Sequence, residues 1–211
     1  GTSTCTVSSL TINSIDSVDI DSGITLVNSG TITNNGFIQN YGVFNNTITF
    51  NNTGTLVNYP SGTITNTGTI TISPSGSFTN AGTLSNSGTI TTSSGNFGTY
   101  GTLSNTGTIT NNGFIQNYGI GTITNTGTIT NSGGTIENYA NLSNSGDLTN
   151  SGGTIANFAT ITNTETITNT DTIVNYPSGT ITNTGTINNS GTITNSGSID
   201  NQCGAVYSGT A

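Results

Sequence analysis

Along most of this chain a single apolar residue recurs every six positions, set among Thr, Ser, Asn and Gly. The series starts at Leu26, Ile32, Ile38, Phe44, Phe50 and Leu56 and runs on to Ile199, 28 units in all; most steps are six residues and a few are seven or eight. The unit is plainest at residues 62–67, 121–126 and 179–184, each reading Gly-Thr-Ile-Thr-Asn-Thr. In Thr-Ile-Thr the strand alternation sends Ile to one side and both Thr to the other, and both residue types favour extended backbone. Each unit therefore reads as a short strand with Ile inward, followed by a corner. Asn two residues after the apolar position and Gly two before it share the inward parity and fall at the bends. Stacking would set Asn over Asn, amide to amide.

A second period identifies the shape. Three residues after the apolar position, from Tyr41 to Tyr176, every third unit carries an aromatic: Tyr41, Tyr59, Tyr100, Tyr118, Tyr139, Phe158 and Tyr176, with Ala81 the one miss. Their mean spacing, across the miss, is about 19 residues. Three strands per turn make a three-sided coil. The longer steps agree: counted in threes, none falls between the first and second unit of a coil, and Pro60, Pro74 and Pro177 all lie in such steps. Proline cannot donate to a strand ladder and belongs in turns. The expected fold is all-β, a three-sided parallel β-solenoid of about nine coils, with handedness undecided. Residues 1–22 do not keep the six-residue phase and read as an N-terminal cap or inter-subunit strand. Residues 23–201 are the repeats, and residues 202–211 a C-terminal tail or junction.

An aliphatic residue with a small residue two before it resembles the hexapeptide repeat of left-handed β-helices, over all 28 units. The acyltransferases of that family need a His, and this chain has none. The Thr/Asn/Ser/Gly-rich units also look like the repeats of prokaryotic surface fibres and adhesin stalks. That resemblance implies a secreted, structural protein.

Composition narrows the function further. Lys, Arg and His are absent, and eight carboxylates give a net charge of −8. Nothing can neutralise phosphates, so nucleic acid and anionic membrane surfaces are excluded as partners. No apolar run approaches the length of a membrane helix. A chain that opens at Gly1 reads as a mature product whose leader has been removed, located outside the cell or on its surface. No catalytic group is expected, for want of a base beside any Ser. Glu137 and Asp171 share a face but sit two coils apart at different strand positions, while Glu165 and Asp171 replace the corner Gly on different corners. Asp16, Asp19 and Asp21 cluster in sequence but supply too few ordered oxygens for calcium. No metal and no cofactor is expected.

The candidate sites are therefore surfaces. Cys5 and Cys203 lie near opposite ends of the chain. They read as an inter-subunit disulfide stapling copies head to tail, as an internal closure made by an N-terminal arm running back along the rod, or as two free thiols. Asn45, Asn51, Asn141 and Asn188 are N-glycosylation acceptor sequons. The aromatic corner stacks upon itself or contacts carbohydrate. The leading expectation is a structural subunit of an extracellular filament, its partner another copy of itself, with glycans as a further partner. The alternative is a ligand-binding rod: an adhesin stalk contacting carbohydrate, or an ice-binding protein. The ice reading rests on Thr31-Ile32-Thr33, with Thr69, Thr71, Thr89, Thr91, Thr128, Thr130, Thr166 and Thr168 on the same face, and resembles the Thr-x-Thr motif of insect-type ice-binding proteins. The neighbouring face also carries the motif, at Thr63 and Thr65 and at Thr122 and Thr124.

Overall fold

The computed structural model describes residues 1–209; the last two residues of the predicted tail lie outside them. The described residues form thirty strands and no helix. The first two coils set the pattern. β1 (Ser3–Ile12) spans the first and second faces, and β2 (Ser17–Ile20) makes the third. β3 (Ile24–Asn34) again spans two faces, and β4 (Phe37–Asn40) makes the third. From there each face has its own four-residue strand, beginning with β5 (Val43–Asn46), β6 (Thr49–Asn52) and β7 (Thr55–Asn58). Every pairing is parallel and joins a strand to its equivalent one coil away: β5 with β3, β6 with β3, β7 with β4. The third face is one sheet of ten strands, so there are ten complete coils; the long β1 and β3 join the other two faces into a sheet of twenty, in which Ser198–Asn201 and Val206–Ser208 add an eleventh strand to each face. At about 4.8 Å per strand, the rod is roughly 45–50 Å long.

The six-residue period fills the inside. Ile32, Phe44, Phe50, Leu56, Ile64, Ile70, Leu84, Ile90, Leu103 and Ile109 are fully buried in one continuous core. Each inward residue sits over its equivalent, as in the run Leu84–Leu103–Ile123 on the first face. Where Phe replaces Ile the rings meet: Phe44 and Phe50 edge to face at 5.3 Å, Phe78 and Phe97 stacked at 4.9 Å.

At each of the three corners the Asn amides form a ladder. On the first corner Asn66 donates to Asn86 Oδ1, Asn86 to Asn105, Asn105 to Asn125 and Asn125 to Asn144, at 2.7–2.8 Å. Asn105 Nδ2 also faces the carbonyls of Gly107 and Thr128, both at 3.1 Å. Two carbonyls fix that end of the amide as the NH2 group. The sense is the same in all three ladders: each amide donates toward the C-terminal end. Buried amides this well satisfied stabilise the coil, whereas a missing partner costs about 1–3 kcal/mol. Two ladders are interrupted. On the second corner Ile72 and Thr92 stand where Asn is usual. On the third, Thr99 accepts from Asn80 and donates to its own turn at Gly101, which leaves Asn117 Oδ1 without a partner.

Glycine at the corner is a packing requirement. A Cβ on Gly107 would lie 2.2 Å from the Gly88 carbonyl oxygen of the preceding coil, and one on Gly127 2.2 Å from that of Gly107. The insertions spread outside this column, and only there is positive φ used by a residue with a side chain, Ser94 at 64°.

Residues 3–20 form a complete first coil, so ten coils stand where the repeat count from Leu26 reaches nine. Cys5 pairs with Leu26, Leu10 with Ile32 and Val18 with Ile38, all in inward slots. The Asn slots hold Val7, Ile12 and Ile20, paired with Asn28, Asn34 and Asn40. An irregularity between Val7 and Ser9 shifts the register, which hides this coil from a six-residue count.

Candidate functional site

The third corner collects all seven aromatics in two runs. Tyr41 and Tyr59 stack at 4.2 Å. After Ala81 the second run passes Tyr100, Tyr118, Tyr139, Phe158 and Tyr176 at 4.8, 5.7, 4.5 and 4.1 Å, with rings within 17° of parallel. The widest gap, Tyr118 to Tyr139, lies where Gly119 and Ile120 are inserted and Ile120 is 93% exposed. Stacking turns the ring faces to one another and leaves edges and hydroxyls to solvent. A sugar ring, which packs on an aromatic face, would find free faces only at the ends of the runs.

Polar groups line the same edge. Gln39 Oε1 accepts from both Tyr41 and Tyr59 at 3.0 Å while its amide donates to Asp19. Glu137 accepts from Gln116 at 2.7 Å and from Tyr139 at 3.3 Å. The hydrogen bond with the Tyr59 hydroxyl, then burial, hold the Tyr41 phenol above its usual value. Burial, followed by the nearby charges, raises Tyr118 and Tyr139. With no cation in the chain, nothing near this corner favours a phenolate.

The two cysteines are free and exposed at opposite ends of the rod. Ten strand spacings, roughly 48 Å, separate their coils, so an internal bond is out of reach of the about 7 Å that a disulfide allows between Cα atoms. They also differ in setting. Cys5 occupies an inward slot of the open first coil, whereas Cys203 lies in the turn between the strands Ser198–Asn201 and Val206–Ser208. The sequons all point away from the core: Asn45 and Asn51 are half-buried in mid-strand, while Asn141 and Asn188 are exposed.

The acidic residues are dispersed. Asp16 accepts from Asn13, Asp19 from Gln39 and Asp171 from Thr172. Among the described residues no three acidic, Cys or His side chains gather where a metal would be held, and there is no cavity. What the molecule offers is long, flat and outward: three Thr/Ser-rich faces and one aromatic edge.

The comparisons with known proteins agree with a repeat of this kind. No curated protein matches the chain. One solved structure, a fragment of TibA hyper-glycosylated by TibC, is similar over 96% of this chain and 100% of that one, at 18% identity and a TM-score of 0.30, a likeness too loose to bear on fold or function. A family model described as the haemagglutinin repeat matches residues 4–73 and 156–210, more than half of the chain. The unmatched middle contains the interrupted ladders at Ile72, Thr92 and Thr99 within or beside it. The coils on both sides carry the family's repeat, and the chain belongs to the haemagglutinin repeat family.

Proposed function

We propose that this chain is a passive structural rod of an extracellular surface fibre of adhesin type, built end to end from copies that stack coil on coil. The observation that supports this reading is the stacking itself: along the described residues every strand pairs in parallel with its equivalent one coil away. Among the described residues Cys5, Leu10 and Val18 hold the inward slots of the first coil, and Ile193, Ile199 and Tyr207 those of the last strands. Unpaired strand edges over an apolar core are a ready surface for another chain, and a contact of unlike ends that does not close produces a filament. Dispersed acids and the absence of a cavity favour a structural role over a catalytic one. The family and the polar, cation-free surface support a place outside the cell.

Continuing the coil register across such a junction sets Ile199 over Cys5, Asn201 over Val7 and Tyr207 over Leu10, with eleven layers on these two faces and ten on the third. The first amide ladder then ends at Val7 and the third face lacks one strand at each junction, which makes it weaker than the coil interfaces inside the rod. Cys203 lies four residues beyond Ile199, about 13 Å along extended chain, so a Cys5–Cys203 staple between copies belongs to a junction that departs from the coil register. The four sequons would carry glycans on the faces without blocking either end.

Electron microscopy of the concentrated full chain tests the reading. Filaments with an axial repeat near 53 Å, eleven strand layers of about 4.8 Å, are expected. Separate rods of one molecule's length at every concentration would overturn end-to-end assembly.

A further inference from the structure

The second face carries an ordered array that the rod reading does not use. In four consecutive coils both outward positions are Thr: Thr69 and Thr71, Thr89 and Thr91, Thr108 and Thr110, Thr128 and Thr130. They are paired in register, so the eight side chains form two straight ranks of four. All eight are exposed or half-exposed. None of their hydroxyls hydrogen-bonds within the chain, in contrast to corner threonines such as Thr106 and Thr126, which donate to the preceding coil. Asn51 interrupts one rank on the N-terminal side of the array, and Asp147 the other rank in the coil that follows Thr128. Within those bounds the patch is uncharged.

The neighbouring face lacks such a run. Thr63 with Thr65 and Thr122 with Thr124 are separated by coils in which Ser85 and Ser104 take the second position. Serine keeps the hydroxyl and loses the methyl, and with it the stiff side-chain rotamer of a β-branched residue.

A rigid lattice of alternating methyl and hydroxyl groups selects a ligand that is itself a lattice. Coils repeat at about 4.8 Å. In a tetrahedral water network with hydrogen bonds of about 2.8 Å, second-neighbour oxygens lie about 4.6 Å apart, so four coils drift from such a network by well under about 1 Å. Side chains already held in one rotamer lose little entropy on docking. We infer that the second face between Thr69 and Thr130 binds the ordered water of an ice surface.

The test uses the full chain at micromolar concentration, with nanolitre osmometry and microscopy of growing ice crystals. The expected result is faceted crystals and a gap between melting and freezing points, both lost in Thr91→Tyr/Thr110→Tyr and retained in Thr65→Tyr/Thr124→Tyr on the neighbouring face. Unchanged thermal unfolding of both variants shows that the solenoid is intact. Unfaceted crystals with the wild-type chain would overturn the inference. Equal loss in both variants would also overturn it, as would binding to microcrystalline chitin or cellulose with no effect on ice, which would reassign the array to a crystalline polysaccharide.

Discussion

Glu165, standing in a corner slot that glycine usually fills, pushes its coil away from Gly146: the Thr166 amide reaches the Gly146 carbonyl at 3.3 Å, while on the far side the Thr186 amide reaches the Glu165 carbonyl at 2.7 Å. Asp171 does the same on the second corner, with 3.3 Å before it and 2.6 Å after it. Ordinary corners, such as those at Gly107 and Gly127, hold both bonds at 2.9 Å. A side chain at a corner therefore shifts the coil by a few tenths of an ångström without breaking the ladder.

From this follows the effect of a designed corner. Gly107→Ala should lengthen the Thr108–Gly88 bond toward the values beside Glu165 and lower stability by about 1–3 kcal/mol, read from the urea midpoint at an unchanged m-value. In Ala140→Gly the relief of the 3.4 Å Asn141–Gly121 bond is opposed by the entropy of an added glycine, about 0.5–1 kcal/mol, so the midpoint should move little.

The amide ladders predict opposite outcomes for two substitutions. Asn125→Ala leaves Asn144 Oδ1 without its donor, while Asn105 Nδ2 keeps the carbonyls of Gly107 and Thr128, and should cost about 1–3 kcal/mol by urea unfolding. Thr99→Asn supplies an amide donor to the orphan Asn117 Oδ1 and a better acceptor to Asn80, and should raise the midpoint by about 1 kcal/mol. An unchanged midpoint in Thr99→Asn would mean that the orphan oxygen is already satisfied by water.

Alkali should loosen the aromatic corner. Tyr41, Tyr118 and Tyr139 have folded pKa values raised above those of the unfolded chain. A raised pKa favours the protonated, neutral phenol in the fold, so its stabilising contribution is complete below about pH 10 and is lost as pH rises through the folded value. Thermal unfolding followed from pH 8 to 11.5 should show Tm falling above pH 10, and the triple Tyr→Phe variant at these positions should flatten that fall.

The cysteines separate two kinds of junction. If filaments form in the coil register, Cys5→Ser and Cys203→Ser leave them intact and non-reducing gels show monomer. If copies are stapled, non-reducing gels show a ladder of multimers that either substitution removes. Exposed thiols at opposite ends permit no band shift from an internal bond.

Much of this molecule was legible in its residues. A lone Ile every six positions with flanking Thr specifies a strand with one buried side chain, because alternation allows nothing else, and aromatics at every third unit specify three sides. Asn at a constant inward phase is enough to expect a ladder. The first coil was not legible: Val7, Ile12 and Ile20 occupy its Asn slots, and a register shift after Val7 breaks the count, so only pairing with Leu26, Ile32 and Ile38 shows residues 3–20 to be a coil. The direction of the amide ladders, the orphan Oδ1 of Asn117 and the displacement around Glu165 come from contacts between residues about 20 apart. Local sequence sets which way a side chain points. Which atoms meet across the gap between coils depends on how each turn closes, and that is settled only when the turns are stacked.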